Sequence, residues 1–281
     1  MWKKVGRPLL PLVFWLAVWE LLALAVDHRA LGEAWALWRQ TGEAAGLMDC
    51  LLYGQRFILP APLGVAAALA ELAGTAAFWQ TALLSLARVF GGLLAGVAIG
   101  TLLAVLTSAF RWADILLSPA VRVIRAVPVA SFIILVLLWV DRDLVPVVIS
   151  ALMVLPVVWG NVSRGTAEAD GQLLELARAY RFGRWKTVRL VYVPSVLPYF
   201  ASAFRTALGL AWKAGVAAEV LCLPKAAIGT QVYNAKIYLE TPDLFAWTLV
   251  VLALSFALEG ILGKLLIRLE GKGRAPCASG D

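Results

Sequence analysis

Arg205, Trp212 and Lys213 stand in an otherwise apolar run, and offsets of seven and eight residues bring them within one side of a helix. Two cations in such a setting can hold a small anion, because intramembrane charges face a bundle interior or a wet cavity. They can equally be structural: Arg205 pairs with Glu259 or snorkels, and Lys213 pairs with Glu219. Gly209 and Gly215 flank Lys213 and allow an irregular, hinge-like helix there, and Pro128 offers a second break upstream. A second charged group, Glu175, Arg178 and Arg181, recurs at helical spacing beside Leu173, Leu174, Leu176 and Ala177. Gly183 follows as a helix stop, and the basic string 184–190 rebuilds a helix up to Pro194.

The surroundings of these charges are apolar. Of 281 residues, 62% are hydrophobic and 15% charged, which points to a bilayer as solvent. Six segments approach a crossing length: 8–26, 89–110, 126–140, 144–162, 190–218 and 244–263. With a cytoplasmic N-terminus, sixteen basic and six acidic residues fall on the inner side, against seven basic and ten acidic outside. By the positive-inside rule both termini are cytoplasmic. Trp112, Trp139, Trp159 and Trp247 near span ends are expected at the membrane surface. The basic, apolar start resembles a secretory signal, but Glu20 and the length of the run favour a retained first span.

The expected fold class is all-α, a polytopic membrane protein of six transmembrane helices. Residues 1–58 hold the first span and outer interfacial helices, one carrying Trp35 and Trp38. Residues 59–268 form the main membrane domain with a cytoplasmic loop at 163–190, and 269–281 form a cytoplasmic tail. Gly92, Gly96 and Gly100 recur every fourth residue with Ala104 and Ser108, so one stripe of the second span is nearly flat. That stripe serves either an intrachain packing face, or a subunit contact or pathway lining.

Several chemistries are excluded. His28 is the sole histidine, and Cys50, Cys222 and Cys277 are far apart, so neither a histidine-based metal site nor a disulfide scaffold is expected. No G-x-x-x-x-G-K-[ST] string occurs; residues 209–213 lack both the second Gly and the Ser or Thr that cradle phosphates. No nucleophile, metal cluster or carboxylate pair supports an enzyme, and the basic excess lies against membrane spans rather than in a nucleic-acid patch.

The loop resembles the cytoplasmic loop of permease subunits of ABC importers: Glu-Ala-Ala, three residues, Gly, nine residues, Ile, one residue, Leu-Pro. Glu175-Leu176-Ala177 stands for the opening triplet and Val191-Tyr192-Val193-Pro194 for the closing one, while Arg181 occupies the Gly position. Stretches such as "LPAPLGVAAALAEL", "IRAVPVASFIILVLLW" and "ALGLAWKAGVAAEVL" resemble, in order, the nitrate/sulfonate/taurine-type group of these permeases. The resemblance implies a type I importer permease of MetI-like architecture in the bacterial cytoplasmic membrane. It further implies a homodimer working with two copies of an ATPase subunit, which binds the ATP-Mg, and with an extracytoplasmic substrate-binding protein; this chain carries no cofactor. Glu175, Ala177 and Arg178 would couple to the ATPase, delivering a small anionic solute. Where the family has its Gly, either Gly183 makes the turn two residues later or Arg181 stays helical. The competing class is an ATPase-independent secondary transporter or channel moving ions through Arg205, Lys213 and Glu219; its inverted repeats are not visible.

Overall fold

In hydrocarbon every backbone N–H and C=O must be satisfied within the chain, and helices do so locally. The computed structural model describes residues 2–26, 28–41 and 58–273, and every regular element in them is helical. They are α1 (Trp2–Val26), α2 (His28–Thr41), α3 (Pro62–Ala73), α4 (Ala76–Ala109), α5 (Arg111–Ala126), α6 (Val129–Val136), α7 (Val145–Ala167), α8 (Gly171–Ala179), α9 (Arg184–Thr187), α10 (Val193–Cys222), α11 (Ile228–Ile237) and α12 (Thr241–Gly273). A π turn, Val188–Tyr192, joins α9 to α10. Cys50, Cys277 and most of the 269–281 tail lie outside the described residues.

The chain forms two compact units, and α4 and α12 each run from one into the other. The first comprises Met1–Ala82 and Thr230–Leu252. Pro62 at the head of α3 loses nothing by lacking an N–H, and the Thr75 hydroxyl accepts the Phe78 N–H at 3.3 Å to cap α4. Ring pairs Trp19–Phe245 at 5.8 Å and Phe78–Trp247 at 5.0 Å hold its helices together. Trp247 is buried, so this indole is a core residue and not the surface anchor its sequence position suggests. Trp112 and Trp139 are exposed.

The second unit, Leu83–Gly229 with Ala253–Asp281, carries the charged segments. α4 has 34 residues, about 51 Å at the helical rise, and begins well before the expected Val89. Arg88 does not end the helix, because its guanidinium finds partners inside the protein. Along α4 the glycine stripe lies against α7. A Cβ built on Gly92 would strike the Val147 carbonyl oxygen, on Gly96 that of Ala151 at 2.6 Å, and on Gly100 that of Leu155 at 2.8 Å. Further on, Trp159 Nε1 donates to Thr107 at 3.0 Å and the Ser108 and Thr166 hydroxyls are 3.1 Å apart. Residue numbers rise together along this seam, so α4 and α7 are parallel.

Two parallel, aligned helices require the chain between them to return across the same thickness. That return is made by α5 and α6, which meet at a bend of 106°. The break falls where chemistry demands it: Pro128 lacks an N–H and pushes Val127 into extended backbone, φ −78° and ψ 134°. The expected third span at 126–140 is therefore a broken crossing that starts earlier, at Arg111. Among the described residues α4, α7 and residues 241–263 of α12 are long and apolar enough to cross alone, and α5 with α6 makes a fourth.

α10 runs antiparallel to both α4 and α7. Ser85 meets Glu219 while Val89 meets Gly215, and Ser150 donates to the Ala211 carbonyl at 3.1 Å while Gly165 meets Tyr199. With 30 residues α10 extends about 45 Å, enough to cross despite Arg205 and Lys213. Its start differs from the expected stop at Pro194. The π turn lets the Val193 N–H reach Val188, five residues back, and α10 continues through Pro194 and Pro198. Ile133, Val136, Val145, Ile149, Ala214, Ala218 and Cys222 form the apolar core where α6, α7 and α10 meet.

Candidate functional site

α8 is a short helix between α7 and the π turn. Asp170 caps it, accepting the Gln172 N–H at 2.8 Å. Ala177 is buried, but Leu173 and Leu176 are 44% and 50% exposed, and Glu175 and Arg178 are exposed beside them. Leu173 and Leu176 are thus uncovered, while Leu174 is half-buried.

The helix ends in a Schellman turn. The Phe182 N–H donates to the Ala177 carbonyl at 2.8 Å and the Arg181 N–H to that of Arg178 at 3.0 Å. Arg181 holds the left-handed position, with φ 51°. Neither sequence alternative for this residue describes the turn. Gly183 has φ −63° and ψ 156° and heads α9, while Arg181 neither stays helical nor passes the turn on. The two hydrogen bonds hold it where glycine would sit without strain. Beyond it the Lys186 ammonium lies 4.2 Å from the Phe182 ring centroid, and Trp185 is exposed.

The charged residues of α10 part company. Arg205 and Lys213 are exposed, whereas Trp212 is buried. The Glu259 carboxylate sits at Gly209, 3.4 Å from where a Cβ would stand. Glu219 is fully buried and does not pair with Lys213. Its Oε2 accepts from the Ser85 hydroxyl at 2.9 Å and the Gly229 N–H at 3.1 Å, and Ser85 in turn accepts the Ile228 N–H at 2.9 Å. Its Oε1 has no hydrogen-bond partner and lies 3.9 Å from Arg88 Nη1.

Arg88 extends this network to the loop after α10. It donates to the carbonyls of Lys225 at 2.7 Å and Ala226 at 3.1 Å and lies 3.6 Å from Asp143, which accepts the Lys225 N–H at 2.9 Å. Leu223 and Ala226 take positive φ, 53° and 45°, in this loop. Arg88, Ser85 and Asp143 were not visible as a group in the sequence. The available signal was an arginine inside a helix-length apolar stretch, which needs a partner. Pro128 lies at the α5–α6 break. The structure does not gather Pro128, Arg205, Trp212, Lys213 and Glu219 around one cavity.

Residues 96–271 match the profile of the family described as binding-protein-dependent transport system inner membrane component. The chain is similar to the riboflavin transport system permease protein of Chloroflexus aurantiacus, 28% identical over 247 residues, covering 83% of this chain and 91% of that one. It is 31% identical over 213 residues to an Escherichia coli protein with the provisional name aliphatic sulfonates transport permease, covering 75% and 80%. Its fold resembles a crystal structure of an amino acid ABC transporter with histidines, TM-score 0.58 at 19% identity, covering 73% of this chain and 97% of the other. The chain therefore belongs to the binding-protein-dependent transport system inner membrane component family, multi-pass permease subunits of ABC importers whose ATP hydrolysis resides in a separate subunit.

Proposed function

We infer that this permease forms the translocation pathway of an ATP-driven importer for a small anionic solute of the sulfonate, nitrate or taurine type. An extracytoplasmic protein delivers the solute, and a homodimer of this chain works with two ATPase copies. Six crossings, counting α1 and α10, leave both termini cytoplasmic. The observation carrying the ATPase assignment is α8: a nine-residue helix whose Leu173 and Leu176 are uncovered beside Glu175 and Arg178. Exposed leucines beside charged residues on a helix outside the spans fit the groove of a protein partner, and a helix lying on lipid headgroups is the competing outcome of the test below. In this reading ATP binding closes the ATPase pair, draws the two α8 helices together and turns the cavity outward.

The capped start and Schellman end give α8 a fixed direction, so a push on it reaches α7 and α10 through the chain. Arg181 and Gly183 shape the turn that sets its docking angle. Purification from the native membrane tests the reading: an ATP-hydrolysing subunit co-elutes with the chain and is lost in E175A/L176A or on deleting 170–184. Uptake that proceeds without any ATPase would instead support a secondary transporter.

A further inference from the structure

A cleft of the second unit lies between the end of α5, one face of α7, and α10, and neither Arg205 nor Lys213 lines it. It has a volume of about 520 Å³, within the usual range of roughly 300–1,000 Å³ for small-molecule sites. It extends along α7 from Leu152 to Arg164, within one turn of the end that leads to α8. We propose that this cleft is an oxyanion subsite, in which Arg125 and Arg164 hold a small soluble sulfonate- or nitrate-type anion on its way through the permease. The inference rests on the importer reading for its physiological role, but not for the binding itself.

Two cations face the cleft and no acidic residue lines it. Neither guanidinium has a carboxylate within ion-pair distance among the described residues. The natural helical partner of Arg164 is Glu168, one turn on, but Glu168 accepts from the Tyr199 hydroxyl. Arg164 lines the cleft and also acts electrostatically on Tyr199. Asn161, nearly one turn before Arg164, donates one amide hydrogen to the Val157 carbonyl at 2.8 Å, which leaves the second as a donor. Thr206 spends its hydroxyl hydrogen on the Ser202 carbonyl at 3.2 Å and adds no donor. Two planar guanidiniums and an amide suit an oxyanion with several acceptor oxygens better than a bare halide.

The space itself is encoded on α7. Gly160 lines the cleft, and a Cβ built there meets nothing within 4 Å. The contrast with Gly92 and Gly96, where a Cβ would strike a neighbouring helix, separates glycines that admit a helix from one that leaves room open. A large residue at 160 therefore fills the cleft without disturbing the packing of α4 on α7.

The test uses the full chain in nanodiscs of zwitterionic lipid, titrated with methanesulfonate at constant ionic strength and read by saturation-transfer NMR, chloride being the balancing anion. Saturable binding is expected, weakened about tenfold or more in R125Q and in R164Q, and abolished in G160L while the melting temperature holds. A parallel arm adds phosphatidylglycerol to the discs. Methanesulfonate binding that is absent, that survives all three substitutions, or that the anionic lipid displaces would overturn the proposal, the last assigning the arginines to lipid phosphate. Binding that follows the arginines in a chain that copurifies no ATPase keeps the subsite and removes the importer reading. ATPase copurification with binding indifferent to Arg125, Arg164 and Gly160 does the reverse.

Discussion

Arg88 and Glu219 face each other at 3.9 Å, the carboxylate fully buried and the guanidinium clasping the Lys225 and Ala226 carbonyls. The pair joins α4 to the end of α10 and fixes the loop that follows. Breaking a buried pair from one side leaves an uncompensated charge, which costs on the order of 3–5 kcal/mol, whereas removing both charges is far milder. R88A is expected to lower the melting temperature of the purified permease sharply, and E219Q much less. R88A/E219Q should recover most of the loss. A double variant no more stable than R88A would show that the pairing is not what holds this end together.

The left-handed Arg181 gives a second expectation. A non-glycine residue at this position carries a strain of about 1–2 kcal/mol, so R181G should strengthen the turn and slow amide exchange at Phe182, whose N–H closes it. R181V, β-branched, should speed that exchange. Equal exchange in all three chains would mean that the turn is set by its surroundings and not by residue 181.

Gly91 and Gly92 are adjacent but differ in surroundings. A Cβ on Gly91 approaches nothing closer than 4.0 Å, while on Gly92 it would meet Ser150 Cβ at 2.6 Å. G92A should destabilise by about 1–3 kcal/mol through overpacking; G91A should be neutral or slightly stabilising, since alanine is the better helix former. Thermal unfolding in one detergent distinguishes them, and equal shifts would contradict the close approach of α4 and α7.

Orientation is testable at Lys186. In a chain whose native cysteines are replaced by serine or alanine, K186C should react with a membrane-impermeant maleimide in inverted inner-membrane vesicles and not in intact cells. Labelling from outside would reverse the topology and remove α8 from the reach of an ATPase.

How much of this was legible beforehand differs by element. The apolar runs around α4, α7 and α12 announced crossings, and Pro128 marked a break that the structure places at that residue. The spacing from Glu175 to Pro194 located α8 but not the residue that ends it. Less legible was the turn itself, because two hydrogen bonds from neighbouring residues keep Arg181 where propensity alone would put glycine. Trp247 shows the same limit: its sequence position suits a membrane surface, yet Phe78 covers it.

Composition by itself determined that the chain lives in a bilayer as helices, since insertion and backbone satisfaction depend on short stretches read one at a time. Only the tertiary structure decided which charges meet. Ser85 and Glu219, 134 positions apart, share a hydrogen bond. Lys213, six residues from Glu219, remains outside that network, and Arg125 and Arg164 come to line one cleft. The partner of a buried charge is set by which helix faces approach and in which direction they run, and these are properties of the packed assembly that no local window contains.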